Sequence, residues 1–274
     1  MTTPRRLVLL GHPVAHSLSP VMQNAALDAA GIALRYEALD VRPEDLSRTL
    51  DALAFDVAAG NVTVPHKEPA ARRMTQLSHI AAKVGAVNTF RTSSSGDLMG
   101  DNTDVVGFGE LVRFVVGETP KKVRLAIIGA GGAAAAVLAA VETWEDSRAT
   151  VYARRPEAAR DLVARFKSFA RAESLSLDVP LDCDIVVNAT TIGLSDDSLP
   201  VPLELLPQNA AALDLVYRQG ETAWVRAARA SGRPASDGLP MLVEQGAAAF
   251  EIWFGIAPDR EAMWSAVKEK TGRG

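Results

Sequence analysis

The sequence predicts an α/β protein with two domains, each built on a parallel β-sheet. Its length of 274 residues exceeds that of one average domain and is short for three. Short apolar strands alternate with helical segments along the chain, which is the order that parallel sheets require. A polar stretch at residues 117–122 interrupts this alternation, and the pattern restarts after it as a doubly wound unit.

In the first domain, apolar runs predict strands and helical spacing predicts the segments between them. The strands are expected at residues 6–10, 34–41, 56–64 and 87–91, and the helices at 19–31, 43–53 and 66–84. Ser19 is expected to cap the first helix, with Pro20 at its first helical position and Gly31 at its end. A break without regular structure follows at residues 100–104.

The second domain is predicted from the same signals. After a helix that ends near residue 116, strands are expected at 123–128, 150–152, 185–187 and 212–216, with helices between them. The alanine-rich run at 133–141 has the highest helix propensity in the chain. Two more helices, at 240–254 and 258–270, follow the last strand, and the pattern alone leaves open whether they pack on the first domain.

Composition excludes several classes of protein. The net charge of −4 gives no basic footprint for nucleic acid or an anionic membrane. No run approaches the roughly 18 apolar residues of a membrane-spanning helix. The N-terminal residues lack the apolar core and cleavage site of a secretory signal. We therefore expect a cytoplasmic protein without nucleic-acid or membrane partners.

Cysteine and histidine usage argues against a redox or metal centre. The single Cys183 cannot form an internal disulfide, and the aspartates on either side should raise the pKa of its thiol, which predicts a buried core residue. The four histidines show no metal-binding spacing. We expect no bound metal.

The strongest local signal is a glycine-rich turn between a buried strand and the alanine-rich helix. Gly129, Gly131 and Gly132 form a variant of the dinucleotide fingerprint, with Ala134 where the third glycine usually stands. Glycines let backbone N–H groups approach a pyrophosphate, and the helix N-terminus adds a positive dipole end. The simpler alternative is a turn that only packs the helix on the sheet.

The end of the next strand indicates which dinucleotide is bound. NAD-binding proteins place a carboxylate there for the adenine ribose. This strand instead ends in Ala153, Arg154 and Arg155, with no carboxylate before Glu157. Because arginines suit the 2′-phosphate of NADP, we expect NADP as the cofactor. The alternative is that the arginines are only a solvated start of a helix.

Polar side chains cluster at strand-to-helix junctions of the first domain. Ser17 and Ser19 present two hydroxyls at a helix N-terminus, which suits a carboxylate, although Ser19 could serve only as a cap. Lys67 follows the third strand, where it could exchange a proton, although it could also form a surface pair with the adjacent glutamate. Asp104 could cap the next helix. With the amides and hydroxyls of residues 86–89, these groups would suit an acidic, polyhydroxylated small molecule.

The chain resembles the shikimate dehydrogenases, NADP-dependent enzymes of aromatic amino-acid biosynthesis, along essentially its whole length. Eight motifs in the family's order carry the resemblance: GHPVAHSLSP at 11–20, NVTVPHK at 61–67, GAVNT at 85–89, DNTD at 101–104, GAGGA at 129–133, NATTIGL at 188–194, DLVY at 214–217 and DGLPMLVEQG at 237–246. The resemblance implies a Rossmann-like NADP-binding domain at residues 104–238. It also implies a parallel-sheet substrate domain formed by residues 1–103 and 239–274.

The resemblance further implies the reversible, NADPH-dependent reduction of 3-dehydroshikimate to shikimate, with Lys67 and Asp104 as the catalytic pair. The residues expected to bind the substrate are Ser17, Ser19, Asn61, Thr63, Asn88, Tyr217 and Gln245. The residues expected to bind the cofactor are Gly129, Ala130, Gly131, Gly132, Ala133, Ala153, Arg154, Arg155, Thr190, Leu215 and Gly238.

The chain departs from the family at the end of the second strand of the NADP-binding domain. Ala153 and Arg155 flank Arg154 where the family usually has asparagine and threonine, a change that bears on cofactor affinity and not on the chemistry. Two alternatives stay open: an NAD-dependent quinate/shikimate dehydrogenase, and a non-catalytic protein that binds the metabolite and regulates a partner. A monomer and a homodimer are both compatible with the sequence.

Overall fold

The computed structural model describes residues 3–176 and 178–273, which form two α/β units. One unit contains the described residues up to Gly107 and those from Leu242 onward, and the other is Phe108–Met241. Each unit contains one six-stranded sheet in which most neighbouring strands run parallel. The predicted α/β class with parallel sheets is therefore confirmed.

The sheet of the first unit is mixed. Its strands are β1 (Arg6–Gly11), β2 (Tyr36–Asp40), β3 (Ala58–Val62), β4 (Gln76–Leu77), β5 (Thr89–Thr92) and β6 (Leu98–Asp101). They lie in the order β2-β1-β3-β5-β6-β4, and β5 is antiparallel to both of its neighbours. β5 and β6 form a hairpin, and Gly96 in their connection has a positive φ of 87°. No sequence signal indicated β6, whose last residues fall where a break was expected.

The helices up to residue 116 are α1 (Ser19–Ala29), α2 (Leu46–Phe55), α3 (Lys67–Ala71), α4 (His79–Val84) and α5 (Asp104–Val116). The single helix predicted over 66–84 is wrong, because β4 pairs with β6 between α3 and α4. Ser78 then starts α4 by accepting a hydrogen bond from Ala81 N at 3.0 Å. The prediction that Ser19 caps α1 is also wrong. Ser19 is the first helical residue, and Leu18 occupies the cap position.

The second unit follows the doubly wound pattern. Its elements are β7 (Arg124–Ile128), α6 (Gly132–Val141), β8 (Arg148–Ala153), α7 (Pro156–Val163), β9 (Ala170–Ser174), β10 (Ile185–Asn188), β11 (Ala211–Asp214), α8 (Ala223–Ala230) and β12 (Ala235–Ser236). The strands lie in the order β12-β11-β10-β7-β8-β9, and every pair is parallel. Their carboxyl ends therefore share one edge of the sheet, where ligands bind in such folds.

Two features of the second unit bear on the predictions. The connection between β10 and β11 holds a short 3-10 turn at Leu203–Leu205 and no α-helix, contrary to expectation. Prolines at 200, 202 and 207 remove the N–H donors that a longer helix needs there. Cys183 is buried as expected, and its pKa is raised to about 12, mainly by burial and less by the adjacent Asp184.

The chain ends in helices α9 (Leu239–Phe254) and α10 (Arg260–Thr271). Asp259 caps α10 by accepting a hydrogen bond from Ala262 N at 3.0 Å, and Gly272 ends it with a left-handed φ of 68°. α10 packs against α1 in the first unit. Within the described ranges, none of the helices has the length and apolar character that crossing a bilayer demands.

Candidate active site

A partly buried ion pair lies at the carboxyl-end edge of the first unit's sheet. Lys67 is the first residue of α3, shortly after β3, and Asp104 is the first residue of α5. Lys67 Nζ lies 2.6 Å from Asp104 Oδ2, and the side chains are 20% and 6% exposed. Lys67 thus pairs with Asp104 and not with the adjacent glutamate. A pair this short is a charge-assisted hydrogen bond, which fixes the position of the ammonium group.

Asn88 joins this ion pair to two further elements. Its Nδ2 donates to Asp104 Oδ1 at 2.9 Å, Thr103 Oγ1 at 2.9 Å and Gln245 Oε1 at 3.2 Å. Its Oδ1 accepts the backbone N–H of Thr103 at 2.7 Å. Both carboxylate oxygens of Asp104 are therefore occupied, one by Lys67 and one by Asn88, and the carboxylate cannot rotate without losing a partner.

Asn61 and Gln245 lie beside Asn88 and are held by their own partners. Asn61 Nδ2 donates to the backbone oxygen of Asn88 at 3.1 Å, and its Oδ1 accepts the hydroxyl of Tyr36 at 2.8 Å. Gln245 Nε2 donates to Leu242 O at 2.8 Å. The structure therefore brings Lys67, Asp104, Asn88, Asn61 and Gln245 into one hydrogen-bonded group. All but Lys67 have less than one tenth of their surface exposed.

The remaining substrate residues predicted in this unit follow the neighbouring strands β1 and β3. Thr63 comes directly after β3, is half-buried and packs against Gly11, the last residue of β1. Ser17 and Ser19 lie in the turn before α1 and in its first turn, and Ser17 Oγ accepts the backbone N–H of Ser19 at 3.2 Å. Parallel strands end at the same edge, so these hydroxyls belong to the edge that carries Lys67.

Three residues of this hydrogen-bonded group were not assigned from the sequence. Thr103 contacts Asn88, and Asn102 Oδ1 accepts the backbone N–H of Asp104 at 3.2 Å while its Nδ2 donates to Ala86 O at 2.9 Å. Both lie in the polar run 101–104, which is one of the family's motifs identified in the sequence. Tyr36 lies at the start of β2, and nothing in the sequence indicates that its hydroxyl meets Asn61.

The glycine turn of the second unit has the geometry of an anion-binding loop. Gly129 has φ +115°, and a Cβ there would lie 2.8 Å from Ala189 O, so only glycine fits. Gly131 is the N-cap of α6, and a Cβ there would meet no atom within 4 Å. The open side of this turn leaves the N–H groups of residues 130–133 at a helix N-terminus accessible to a pyrophosphate. The residues present thus fit a bound dinucleotide.

The two arginines lie at the end of β8, the strand adjacent to β7 in the sheet. Ala153 ends β8, Arg154 and Arg155 are exposed, and Arg155 is the N-cap of α7 in an extended conformation. Neighbouring strands are about 4.8 Å apart, so these side chains are within reach of the adenosine end of a dinucleotide held at the glycine turn.

The other predicted residues of this unit lie on the opposite side of the glycine turn. Thr190 follows β10, Leu215 and Tyr217 follow β11, and Gly238 follows β12. Thr190 Oγ1 donates to Asn188 Oδ1 at 2.6 Å. Tyr217, which was predicted to bind substrate, is half-buried and belongs to this unit.

Asp214, the last residue of β11, is a buried carboxylate that the sequence did not single out. Its pKa is raised to about 6, mainly by burial; hydrogen bonds from Thr222, Val216 and Asn188 oppose the shift, and the Asp237 carboxylate adds slightly to it. Only 1% of its surface is exposed.

A dinucleotide-binding unit together with a partly buried lysine–aspartate pair defines a two-domain oxidoreductase of the nicotinamide-dependent class. The family model described as the shikimate dehydrogenase substrate binding domain matches residues 9–90, and that of the shikimate 5′-dehydrogenase C-terminal domain matches residues 238–268. The chain belongs to the shikimate dehydrogenase family, as its motifs predicted.

The similarity to individual proteins extends over nearly the whole chain. A shikimate dehydrogenase (NADP(+)) of Thermus thermophilus is 39% identical over 273 residues, covering 97% of this chain and 99% of the relative. That of Rubrobacter xylanophilus is 42% identical, with 94% of each chain covered. The crystal structure of the Thermus thermophilus enzyme in complex with NADP(H) and shikimate has a TM-score of 0.86 and 38% identity, covering 96% of this chain and 98% of that one.

Proposed function

We propose that this chain catalyses the reversible reduction of 3-dehydroshikimate to shikimate with NADPH. The observation that carries the proposal is the Lys67–Asp104 pair, whose 2.6 Å contact places a proton donor among buried amides and hydroxyls. Relatives named as NADP-dependent shikimate dehydrogenases over nearly the full length support it. A protein that only bound the metabolite would not need a proton carrier held in position by a carboxylate.

The groups of the first unit match the chemistry of shikimate, which has one carboxylate and three ring hydroxyls. The hydroxyls of Ser17 and Ser19 suit the carboxylate, because both are donors at a helix N-terminus. The side chains suited to the ring hydroxyls are Asn61, Thr63, Asn88, Asp104 and Gln245, which provide both donors and acceptors. Tyr217 is the substrate residue proposed from the second unit.

Lys67 is the proposed proton donor for reduction and the proton acceptor for oxidation. Bound NADPH supplies the hydride that reduces the ring carbonyl carbon. As the carbonyl oxygen gains negative charge, Lys67 Nζ transfers a proton to it, and in the oxidation direction the same nitrogen takes the proton back. Asp104 Oδ2 keeps Nζ in place, and Asn88 keeps Asp104 in place from the other side.

The proposed cofactor site is the glycine turn with the elements on either side of it. Residues 129–133 would hold the pyrophosphate at the N-terminus of α6. Arg154 and Arg155, with Ala153, would hold the 2′-phosphate that distinguishes NADP from NAD. We accordingly propose an NADP-binding domain at residues 104–238, which also contributes Asp104 and Tyr217 to substrate binding, and a substrate-binding domain formed by residues 1–103 and 239–274. The cytoplasmic location, the absence of nucleic-acid and membrane partners, and the monomeric or homodimeric state stay predictions.

The test is the initial rate of shikimate oxidation with NADP+ and with NAD+, for the wild type and Lys67→Ala. Loss of a positioned proton carrier should lower kcat about 10²–10⁴-fold, while KM for shikimate changes little because the other polar groups remain. Lys121→Ala is the matched control, since Lys121 forms an exposed ion pair with Glu145.

Three outcomes would contradict parts of this proposal. Unchanged turnover of Lys67→Ala would remove Lys67 from the mechanism. Faster oxidation of quinate with NAD+ than of shikimate with NADP+ would assign the NAD-dependent alternative. Tight binding of shikimate without turnover under either cofactor would assign the regulatory alternative.

A further inference from the structure

The order of the strands in the second unit determines where each half of a dinucleotide lies. The glycine turn follows β7, and the arginines follow β8 on one side of it. With the pyrophosphate at the turn and the adenosine end at Arg154, the other half must extend over the ends of β10, β11 and β12. We call the segments that follow these strands, residues 189–193, 215–217 and 237–238, the nicotinamide-side loops.

The first of these loops is shaped by Asn188, the last residue of β10. Its Oδ1 accepts both the backbone N–H of Thr190 at 3.0 Å and its hydroxyl at 2.6 Å. Its Nδ2 donates to Ile192 O at 3.1 Å. The same loop lies against the glycine turn, because a Cβ at Gly129 would meet Ala189 O.

Asp214 connects this loop to the second one. Its Oδ1 accepts Asn188 Nδ2 at 2.8 Å and the backbone N–H of Val216 at 3.1 Å. Its Oδ2 accepts the hydroxyl of Thr222 at 2.8 Å, and Thr222 caps α8. Oδ1 therefore accepts hydrogen bonds from the loops, and Oδ2 accepts one from the residue that caps the next helix.

The third loop rests directly on the second. Gly238 N donates to Val216 O at 3.0 Å, and a Cβ at Gly238 would lie 2.4 Å from Leu215 O. Only glycine fits so close to the backbone of the second loop. The position of the third loop therefore depends on the position of residues 215–216. A shift at Asp214 is thus transmitted to all three loops.

We propose that Asp214, acting through Asn188 and Val216, is the positioning residue that aligns the nicotinamide-side loops and so orients the nicotinamide half of the cofactor. The proposal rests on the proposed function for the identity of the cofactor. Asp214 is 1% exposed and Asn188 is fully buried, so both act through the loops. The arginines proposed to hold the 2′-phosphate follow β8 and lie outside these loops, so we expect the adenosine end to keep its site.

The test compares Asp214→Ala with the wild type, using NADP+ and 2′,5′-ADP as probes. The second probe has the adenosine end of the cofactor and lacks the nicotinamide half. We expect kcat for shikimate oxidation to fall at least tenfold and the emission of bound NADPH to shift toward that of free NADPH. The Kd of 2′,5′-ADP should stay within twofold of the wild-type value, because its site is unchanged.

Two variants separate positioning from general loss of stability. Thr222→Val removes the hydrogen bond to Oδ2 and a helix cap, leaves both contacts of Oδ1, and should keep kcat within threefold despite a lower Tm. Asp214→Asn retains an oxygen that can accept from Val216 N and Asn188, and should restore most of the lost kcat. If Asp214→Ala does not fold, Asn188→Ala replaces it in the test. The expected results are the same: a lower kcat and an unchanged Kd of 2′,5′-ADP.

The proposal is overturned if the alanine variants keep wild-type kcat and NADPH emission, or if they weaken NADP+ and 2′,5′-ADP equally. The probe measurements do not depend on turnover. A wild type that binds NADP+ and fails to oxidise shikimate would refute the proposed function, while NADPH emission would still decide the role of Asp214.

Discussion

The side-chain amide of Asn88 is shared among three residues of the first unit. It contacts Asp104 at the start of α5, Thr103 just before it, and Gln245 in α9. Asparagine suits this position because it offers donors and an acceptor without a charge. An aspartate of the same shape would place a second carboxylate beside Asp104 and could not donate to it.

We predict that Asn88→Ala lowers both stability and turnover. The lost hydrogen bonds leave buried groups unpartnered, which costs about 1–3 kcal/mol, and the freed Asp104 no longer fixes Lys67, so kcat should fall at least tenfold. Urea unfolding and initial rates measure the two effects.

Asn24→Ala is the matched control for this prediction. Asn24 makes two hydrogen bonds with the backbone of Tyr36, at 2.9 and 3.1 Å, and has no hydrogen bond to Asp104. It should lose a similar amount of stability and keep its kcat. If Asn88→Ala also keeps its kcat, the amide is only structural.

At the scale of elements, the junction of β8 and α7 combines a strand end, an extended N-cap and two exposed arginines. Arg155 occupies the cap and Pro156 follows it as the first helical residue, so the backbone turns at a fixed place. This junction presents Arg154 at the edge where ligands bind in doubly wound sheets. An arginine at a helix N-cap junction loses less conformational entropy on binding a phosphate than the same residue on a mobile loop, which favours its affinity for the phosphate.

We predict that Arg154→Ala raises KM for NADP+ about 10–100-fold, because one charge-assisted contact to a phosphate contributes about 1.5–3 kcal/mol. KM for NAD+ should change less than twofold, since NAD+ lacks the 2′-phosphate. Arg160→Ala, on the exposed side of α7, should change neither value. An equal rise in KM for both cofactors in Arg154→Ala would mean that the arginine does not bind the 2′-phosphate.

For the whole molecule, the sequence predicted the parts that local signals determine. The glycine turn after β7 could be placed because strand-end chemistry is readable from residue order. The role of Lys67 came from the resemblance, because its position after β3 was also compatible with a surface pair. β9 was missed because it is an edge strand of mainly exposed residues, without apolar alternation. Asp214 and Tyr36 were missed because their partners, Asn188 and Asn61, are 26 and 25 positions away in the chain.

The stability of the folded chain should depend on the pH through Asp214. Its pKa is raised by burial from 3.8 to about 6, so the folded state holds this proton more tightly than the unfolded state. Well below pH 3.8 the group is protonated in both states and does not affect the free energy of unfolding. As the pH rises toward 6 and beyond, the unfolded carboxyl ionises first, and the folded state loses about 3 kcal/mol relative to it.

Asp214→Asn removes this titration and retains an acceptor for Val216 N. We therefore predict that the free energy of unfolding of Asp214→Asn, relative to the wild type, increases by up to about 3 kcal/mol between about pH 4 and pH 7. Urea unfolding at unit steps of pH measures this difference, and Asp196→Asn, at an exposed aspartate whose pKa is lowered, should give no such increase. A difference that stays constant over this range would show that Asp214 is not protonated preferentially in the folded state.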